Sequence, residues 1–173
     1  MADTAELEGR IRSLEARIER VEDIEAIRAL KARYGELADL RYGPDGVKSQ
    51  PEVDAIAAQI SELFTEDAVW DGGASLGLCR GRAAIRDRLA KPTLLFSWHY
   101  FVKPQIRIEG ATAEATWDVF APCTRPDGRP YWMAGLERDA YAKQEGRWLH
   151  SRMQLDVVFF APYERGWARP PTE

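Results

Sequence analysis

The sequence predicts one α+β domain, in which N-terminal helices pack against a curved, mostly antiparallel sheet and enclose a pocket. About forty residues at the start contain no proline and space their apolar side chains by three and four, as a helix does. The second half contains four long runs rich in β-branched and aromatic residues, joined by short turns. A chain of 173 residues is long enough to bury one sizeable core.

The first 22 residues are predicted to form a helical extension that precedes the domain. Its apolar residues repeat at heptad spacing and are Leu7, Ile11, Leu14, Ile18 and Val21. A helix of two heptads is marginal in water, so the apolar seam needs a partner. We expect that partner to be another subunit in a homo-oligomer, a dimer or a trimer. The alternative is a frayed helical tail.

From residue 23 to the end, the chain is predicted to form the domain itself. Asp23 is the expected N-cap of a second helical unit. A broad apolar stripe then covers one face of that helix and consists of Ile24, Ile27, Leu30, Tyr34, Leu37 and Ala38. After a turn rich in glycine and proline, another helix is expected from Pro51 to Phe64.

Strand patterns dominate the rest of the chain. A short strand is expected at Ala68 to Asp71, and a short helix at about Ala83 to Ala90. The four long strands are expected at Ser97 to Glu109, Thr112 to Pro122, Tyr131 to Lys143 and Trp148 to Phe160. Because their turns are short, we predict an antiparallel meander. Pro162 to Glu173 is expected to be an extended cover.

Composition excludes several classes of function. The formal net charge is −4 and the basic residues form no stripe, so no nucleic-acid partner is expected. Cys79 and Cys123 lie far apart, and no cluster has the spacing of metal ligands, so neither a metal nor another cofactor is expected. We see no signal peptide and no membrane-spanning run, and we expect a cytoplasmic protein without a membrane partner.

The candidate chemistry centres on His99 and Asp39. His99 lies among aromatic residues in a predicted strand, where it is either a functional imidazole or a core histidine with one hydrogen bond. Asp39 lies on the apolar stripe near the C-terminal end of its helix, where a carboxylate is unfavourable. It therefore pairs with a buried cation or imidazole, or it is an ordinary exposed aspartate. The second histidine, His150, is expected to face the outer surface of the sheet, at a surface open to coverage by a subunit interface.

Five segments of the chain are informative together. They are the helix from Ile27 to Asp39, Leu63 to Trp70, Cys79 to Arg82, His99 to Ile106, and Phe159 to Trp167. These segments resemble the SnoaL-like family of the nuclear transport factor 2-like superfamily. The resemblance implies a cone-shaped α+β barrel. Members include scytalone dehydratase, a bile-acid dehydratase and lindane dehydrochlorinase, which use a histidine base oriented by a helix aspartate.

By this resemblance, His99 matches the base, Asp39 its partner and Tyr34 a further polar catalytic residue. The expected substrate-binding residues are Trp70, Phe101, Trp117, Tyr131, Met133, Met153, Arg80 and Lys103. Met153 occupies the position of an arginine that assists halide departure in the dehydrochlorinase, so that reaction is in doubt. Trp98 and Tyr100 are expected to face away from the pocket.

The expected function is therefore that of a cofactor-independent lyase or dehydratase, or an isomerase. It would remove a proton from carbon of a hydrophobic, aromatic or polycyclic small molecule. The alternative is a non-catalytic domain of the same fold that binds a small molecule or supports assembly.

Overall fold

The computed structural model describes residues 4–168, and within them helices and strands follow the expected order. The helices are α1 (Thr4–Leu40), α2 (Gln50–Ser61), α3 (Gly73–Leu76) and α4 (Arg82–Leu89). The strands are β1 (Tyr42–Gly43), β2 (Gly46–Val47), β3 (Phe64–Asp71), β4 (Leu78–Arg80), β5 (Phe96–Ser97), β6 (Tyr100–Glu109), β7 (Thr112–Thr124), β8 (Pro130–Gln144) and β9 (Arg147–Pro162). The predicted tail extends beyond the described residues at positions 169–173.

Seven strands form one strongly curled sheet, and the α+β prediction is confirmed. The strand order is β4-β3-β9-β8-β7-β5, and β6 also pairs with β7. Every pairing is antiparallel except that of β3 with β9. The long strand expected from Ser97 is divided, because Trp98 and His99 leave the ladder between β5 and β6. This break lies at the edge of the sheet and positions His99.

Helix α1 is continuous, so the prediction that Asp23 caps a second helix is wrong. Nothing between residues 4 and 40 interrupts the helix, since the segment contains no proline. The Asp23 carboxylate is instead engaged by the sheet. The indole N–H of Trp148 donates to it over 2.7 Å, and the Lys143 ammonium lies 2.8 Å away. Asp23 therefore anchors the middle of α1 to β8 and β9.

Helix α2 begins one residue earlier than expected and ends sooner. Glu52 accepts hydrogen bonds from both the backbone N–H and the hydroxyl of Ser49, at 3.2 and 2.5 Å, which fixes the first turn. The helix ends at Ser61, and Phe64 opens β3 as a fully buried side chain. The apolar spacing of Phe64 continues the stripe of the helix, but its burial comes from its place in β3.

The core lies between α1, α2, α4 and the concave face of the sheet. One buried cluster surrounds Tyr34, Trp70 and Met153, and a second surrounds Ile27 and Trp117. Phe101 is partly buried and packs against both clusters. Each large side chain buried in this way stabilises the fold by roughly 1.5–3 kcal/mol relative to leaving it exposed. Helix α1 is thus held on the sheet by its second half.

A bulge in β9 turns His150 into the core, and the expectation that it faces the outer surface is wrong. Tyr141 pairs with His150, but the preceding residue, Ala140, pairs with Arg152. Ser151 is therefore the extra residue, and it reverses the alternation of side chains along the strand. As a result His150 and Met153 are both buried, while Arg152 is exposed.

Within residues 4–168, no helix combines the length and the apolar character needed to cross a lipid bilayer.

Candidate active site

The structure brings Asp39 and His99 into direct contact, sixty residues apart in the chain. Nδ1 of the His99 ring lies 2.6 Å from Oδ1 of Asp39. The backbone N–H of His99 also donates to both carboxylate oxygens, over 3.1 and 3.0 Å. A single carboxylate therefore fixes the backbone at the strand break and the orientation of the imidazole ring.

Local packing explains why these two groups meet. Asp39 is the penultimate residue of α1, and His99 lies in the break before β6. The Phe101 ring stacks on the His99 ring, with centroids 5.9 Å apart and planes inclined by 14°. Phe101 in turn approaches α1 at Gly35, where an added Cβ would lie only 3.1 Å from the ring. Glycine at position 35 allows the helix and β6 to come this close.

An open groove of about 690 Å³ lies beside the pair. One wall is formed by α1 between Arg28 and Leu40, and the other by the segment from Trp98 to Val102. Asp39 is largely buried, whereas the His99 side chain retains 19% of its exposure and faces the groove. The volume falls within the usual range for small-molecule pockets.

Two of the expected wall residues, Phe101 and Trp117, do line this groove. Trp98 and Tyr100 line it as well, which corrects the expectation that they face away. Strict alternation predicted the opposite orientation. The burial pattern still alternates along this segment, and Trp98 and Tyr100 are more exposed than His99 and Phe101, so they line the groove from the more exposed face of the segment.

Tyr34, Trp70 and Met153 lie in the packed interior rather than in the groove wall. The indole N–H of Trp70 donates to the Tyr34 hydroxyl oxygen over 3.3 Å. Burial, reinforced by the charge of Glu137, raises the pKa of Tyr34 to about 12, so its hydroxyl stays protonated. The expected catalytic donor thus lies beneath Phe101 and His150, away from the groove.

The remaining expected residues lie elsewhere. Tyr131 is buried and stacks on Phe160 with centroids 4.8 Å apart, and Met133 lies two residues along the same strand. Arg80 is exposed on the short strand β4. Lys103 is exposed, because a left-handed backbone at this residue and a bulge before Gln105 turn its side chain outward. There its ammonium pairs with Asp118. None of the four belongs to the groove lining.

A buried ionic cluster beside the site was not anticipated from the sequence. The ammonium of Lys31, 1% exposed, pairs with Glu137 and lies 2.8 Å from Asp139. It also lies 4.3 Å from the centroid of the Phe101 ring. Burial opposes the charge on Lys31, but the two carboxylates outweigh it and raise the pKa of the ammonium. Burial raises the pKa of Glu137; the charge of Asp139 adds to this rise and the Lys31 ammonium opposes it.

Two sequence signals were available for this cluster. Lys31 lies on the apolar stripe, four residues after Ile27 and three before Tyr34. Glu137 and Asp139 precede buried Tyr141 by four and two residues, so all three side chains point to the same face of the strand. A lysine on a buried helix face and two acids on a buried strand face would have predicted an internal ion pair.

His150 has a different environment from His99. Its ring lies between Phe64 and Tyr141, at centroid distances of 5.1 and 4.8 Å. Its Nδ1 is 3.9 Å from Asp139, which is beyond hydrogen-bond reach, and within residues 4–168 neither ring nitrogen has a hydrogen-bond partner. Burial lowers the pKa of His150 to about 3, with Asp139 opposing and Lys31 assisting. This imidazole is neutral at physiological pH.

The arrangement supplies an accessible imidazole whose Nδ1 is held by the Asp39 carboxylate. If Nδ1 carries the hydrogen shared with Asp39, the lone pair is on Nε2 and is available to a proton donor in the groove. In the part of the chain that the structure describes, no group of three or more His, Cys, Asp or Glu side chains is suited to hold a metal ion. The site is equipped for general acid–base chemistry.

Similar folds occur in several solved structures. A type 2 hexachlorocyclohexane dehydrochlorinase, LinA, is 16% identical and has a TM-score of 0.72 over 90% of this chain and 99% of that chain. A putative scytalone dehydratase from Novosphingobium aromaticivorans is 18% identical, with a TM-score of 0.68 over 83% of this chain and 89% of that one. At such low sequence identity, these structural similarities show a shared fold.

A third structure is an NTF2-like protein with a cystatin-like fold, also from Novosphingobium aromaticivorans. It is 26% identical, with a TM-score of 0.64 over 91% of this chain and 92% of that one. No curated protein sequence matches the chain. The family model of the SnoaL-like domain matches residues 53–154, which is more than half of the sequence. The protein therefore belongs to the SnoaL-like domain family.

Proposed function

We propose that the protein is a cofactor-independent lyase of the dehydratase kind, or an isomerase, that removes a proton from carbon of a small hydrophobic molecule. One observation carries the proposal: His99 is bonded to Asp39 at 2.6 Å and faces a groove large enough for such a molecule. A base must lie within reach of the proton that it removes. His99 is the base, and Asp39 is the residue that orients it.

In this mechanism, Nε2 of His99 accepts the proton from a substrate carbon. In a dehydration, the electron pair of the broken C–H bond forms a new double bond as hydroxide departs from the adjacent carbon, and the imidazolium gives its proton to that hydroxide, which leaves as water. In an isomerisation no group departs. The electron pair stays delocalised in the substrate as a carbanion or enolate, and the imidazolium returns the proton to another carbon. Asp39 stabilises the imidazolium in the interval. Acid–base catalysis of this kind contributes typically about 10²–10⁴-fold in rate.

Negative charge that develops on the substrate needs hydrogen-bond donors nearby. Tyr34, Arg80 and Lys103 do not line the groove, so we do not assign them this role. Arg28, Trp98 and Tyr100 do line it, and each carries an N–H or O–H group. We propose that these three share the binding of the developing anion.

The groove walls favour an aromatic or polycyclic substrate. The side chains of Trp98, Tyr100, Phe101 and Trp117 supply aromatic surface along the groove. The dehydrochlorinase and the putative dehydratase that share the fold are named for elimination reactions, which supports the lyase assignment. The proposal does not extend to dehydrochlorination, because Met153 is buried in the core and its neighbour Arg152 lies on the exposed face.

The experiment is a screen of aromatic and polycyclic alcohols with an acidic C–H next to the carbon that bears the hydroxyl. Elimination and exchange of that hydrogen with D₂O are followed by NMR. We expect His99→Ala to lose at least about 10²-fold in either rate while ligand still stabilises the fold in a thermal-shift assay. Lys103→Ala, a change on the exposed surface, serves as the control and should react like the unmodified protein. Equal rates in the histidine variant would overturn the assignment.

A second candidate function is non-catalytic binding. The packing of Tyr34, Phe64, Trp70 and Met153 in the interior favours it, because the cone is filled where an enzyme of this fold could enclose its substrate. In the same screen, this candidate predicts thermal stabilisation by a ligand without elimination or exchange. It also predicts that His99→Ala changes only the affinity.

A further inference from the structure

The exposed first half of α1 carries an apolar seam that no other part of residues 4–168 covers. Residues 4–22 extend along about 28 Å of helix, and Leu7, Ile11, Leu14, Ile18 and Val21 are each between 47% and 60% exposed. We propose that a second copy of the chain covers this seam in a parallel, in-register, two-stranded coiled coil. This inference is independent of the proposed function.

The seam residues select two strands. Ile11 and Ile18 occupy position a of the heptad, and Leu7 and Leu14 occupy position d, with Val21 at the third d position. β-branched residues at a and leucine at d favour a two-stranded parallel coiled coil over a trimer. The seam ends where Glu25 would take the next a position.

The charges beside the seam select a parallel orientation. Arg10 and Arg17 occupy position g, and Glu15 and Glu22 occupy position e of the following heptad. In a parallel pair, each g residue faces the e residue five positions later on the partner, so both arginines would meet glutamates, twice by symmetry. An antiparallel pair would oppose arginine to arginine and glutamate to glutamate. Within residues 4–168, these four side chains form no intrachain ion pair.

The geometry of α1 leaves room for the partner. At 3.6 residues per turn, the seam lies about 150° around the helix from the face that packs on the sheet. That buried face contains Ile27, Lys31, Tyr34 and Ala38. Two copies paired on the seam would therefore carry their domains on opposite sides of the coiled coil.

Sedimentation velocity of the full chain over a wide concentration range tests the interface. We expect a dimer, and we expect Ile11→Asp with Ile18→Asp to raise its dissociation constant at least about tenfold per substitution, since 1.4 kcal/mol is tenfold. Ser13→Asp with Ala16→Asp adds the same charge to the same helix away from the seam and should leave the dimer unchanged. Circular dichroism and thermal unfolding should show an intact domain in both variants.

Disulfide formation tests the orientation. In a Cys79→Ser background, Leu7→Cys should cross-link two chains on mild oxidation, whereas Ala16→Cys, on the outer face, should not. In an antiparallel pair the two residues at position 7 would lie about 21 Å apart and could not bond. A monomer at all concentrations, a trimer, a dimer insensitive to the aspartates, or no cross-link at position 7 would each overturn the proposal.

Discussion

The two histidines of this protein lie near aspartates, but only His99 lines the groove. His99 is 2.6 Å from Asp39, retains part of its exposure and faces a groove. His150 is completely buried, lies 3.9 Å from Asp139 and has a pKa lowered to about 3 by that burial. Proximity to a carboxylate therefore does not by itself make an imidazole a base.

Two physical differences separate the sites. Among the described residues, the oxygens of Asp39 bond only the ring and the backbone of His99. Asp139 already binds Lys31 and accepts a hydrogen bond from the Tyr141 hydroxyl over 2.8 Å, so its charge is committed elsewhere. The proposed catalytic imidazole differs from the structural one in two ways. It is reached by water, and its carboxylate partner bonds it rather than other side chains.

Asp39→Asn should remove this distinction, and we expect its effect, a loss of turnover, to be the largest of those predicted. The amide oxygen can still accept the backbone N–H of His99, but the amide N–H would donate to Nδ1 and place the hydrogen on Nε2. We expect turnover of an identified substrate to fall by about 10²–10⁴-fold while binding persists. Paired measurements of kcat and of ligand affinity check this. A fall in affinity alone would show that Asp39 only shapes the groove.

Lys31→Met should have the next largest effect, because the Lys31 ammonium pairs with two buried carboxylates, Glu137 and Asp139. Without the ammonium, Glu137 and Asp139 are left buried together, and we expect a loss of about 3–5 kcal/mol in the free energy of unfolding. Asp139 would then be free to attract a proton, so the pKa of His150 should rise. Urea unfolding and the pH dependence of the His150 ring signal in NMR check the two parts. Exposed Lys91→Met is the control and should change neither.

His150 should make the folded protein less stable in acid, and we expect this effect to be smaller than those of the two substitutions. Its pKa is about 3 in the folded protein against 6.5 for the free side chain. Below pH 6.5 the unfolded chain binds a proton that the folded chain does not, so stability falls as the pH falls towards 3. Between pH 6.5 and about pH 5 we expect this group to contribute a loss of about 2 kcal/mol.

The measurement compares unfolding free energies of the unmodified protein and His150→Leu at both pH values. The variant should lose less stability on acidification, because leucine binds no proton in either state. Equal losses in the two proteins would mean that His150 is already protonated, or reaches water, in the folded state. A ring signal of His150 that moves between pH 7 and 5 would lead to the same conclusion.

Most of the fold could be predicted from the periodicity of the sequence. The long strands were found because their alternation persists over ten or more residues and their turns contain glycine. The helix of residues 50–61 was predicted too long, because Phe64 fits both a helical stripe and the start of a buried strand. Asp23 was misassigned because an aspartate inside a helix resembles an N-cap unless its tertiary partners, Trp148 and Lys143, are known.

The candidate site was predictable in part. Asp39 and His99 stood out because each occupied an unusual face, but periodicity could not join residues sixty positions apart, and family resemblance was needed to pair them. Tyr34, Arg80 and Lys103 were expected near the substrate, yet burial, strand position and a bulge place them elsewhere. Local departures from regular alternation, at Lys103 and Ser151, account for the orientations of Lys103 and His150 that the sequence could not indicate.

The extra residue at Ser151 has a consequence for how relatives of this protein are matched position by position. A homologue that lacks the bulge has one residue fewer between the two inward positions held here by His150 and Met153. A gap placed anywhere else in β9 would equate an inward side chain of one protein with an outward side chain of the other. Assigning roles to residues in this strand across the family therefore requires the gap to be placed at Ser151.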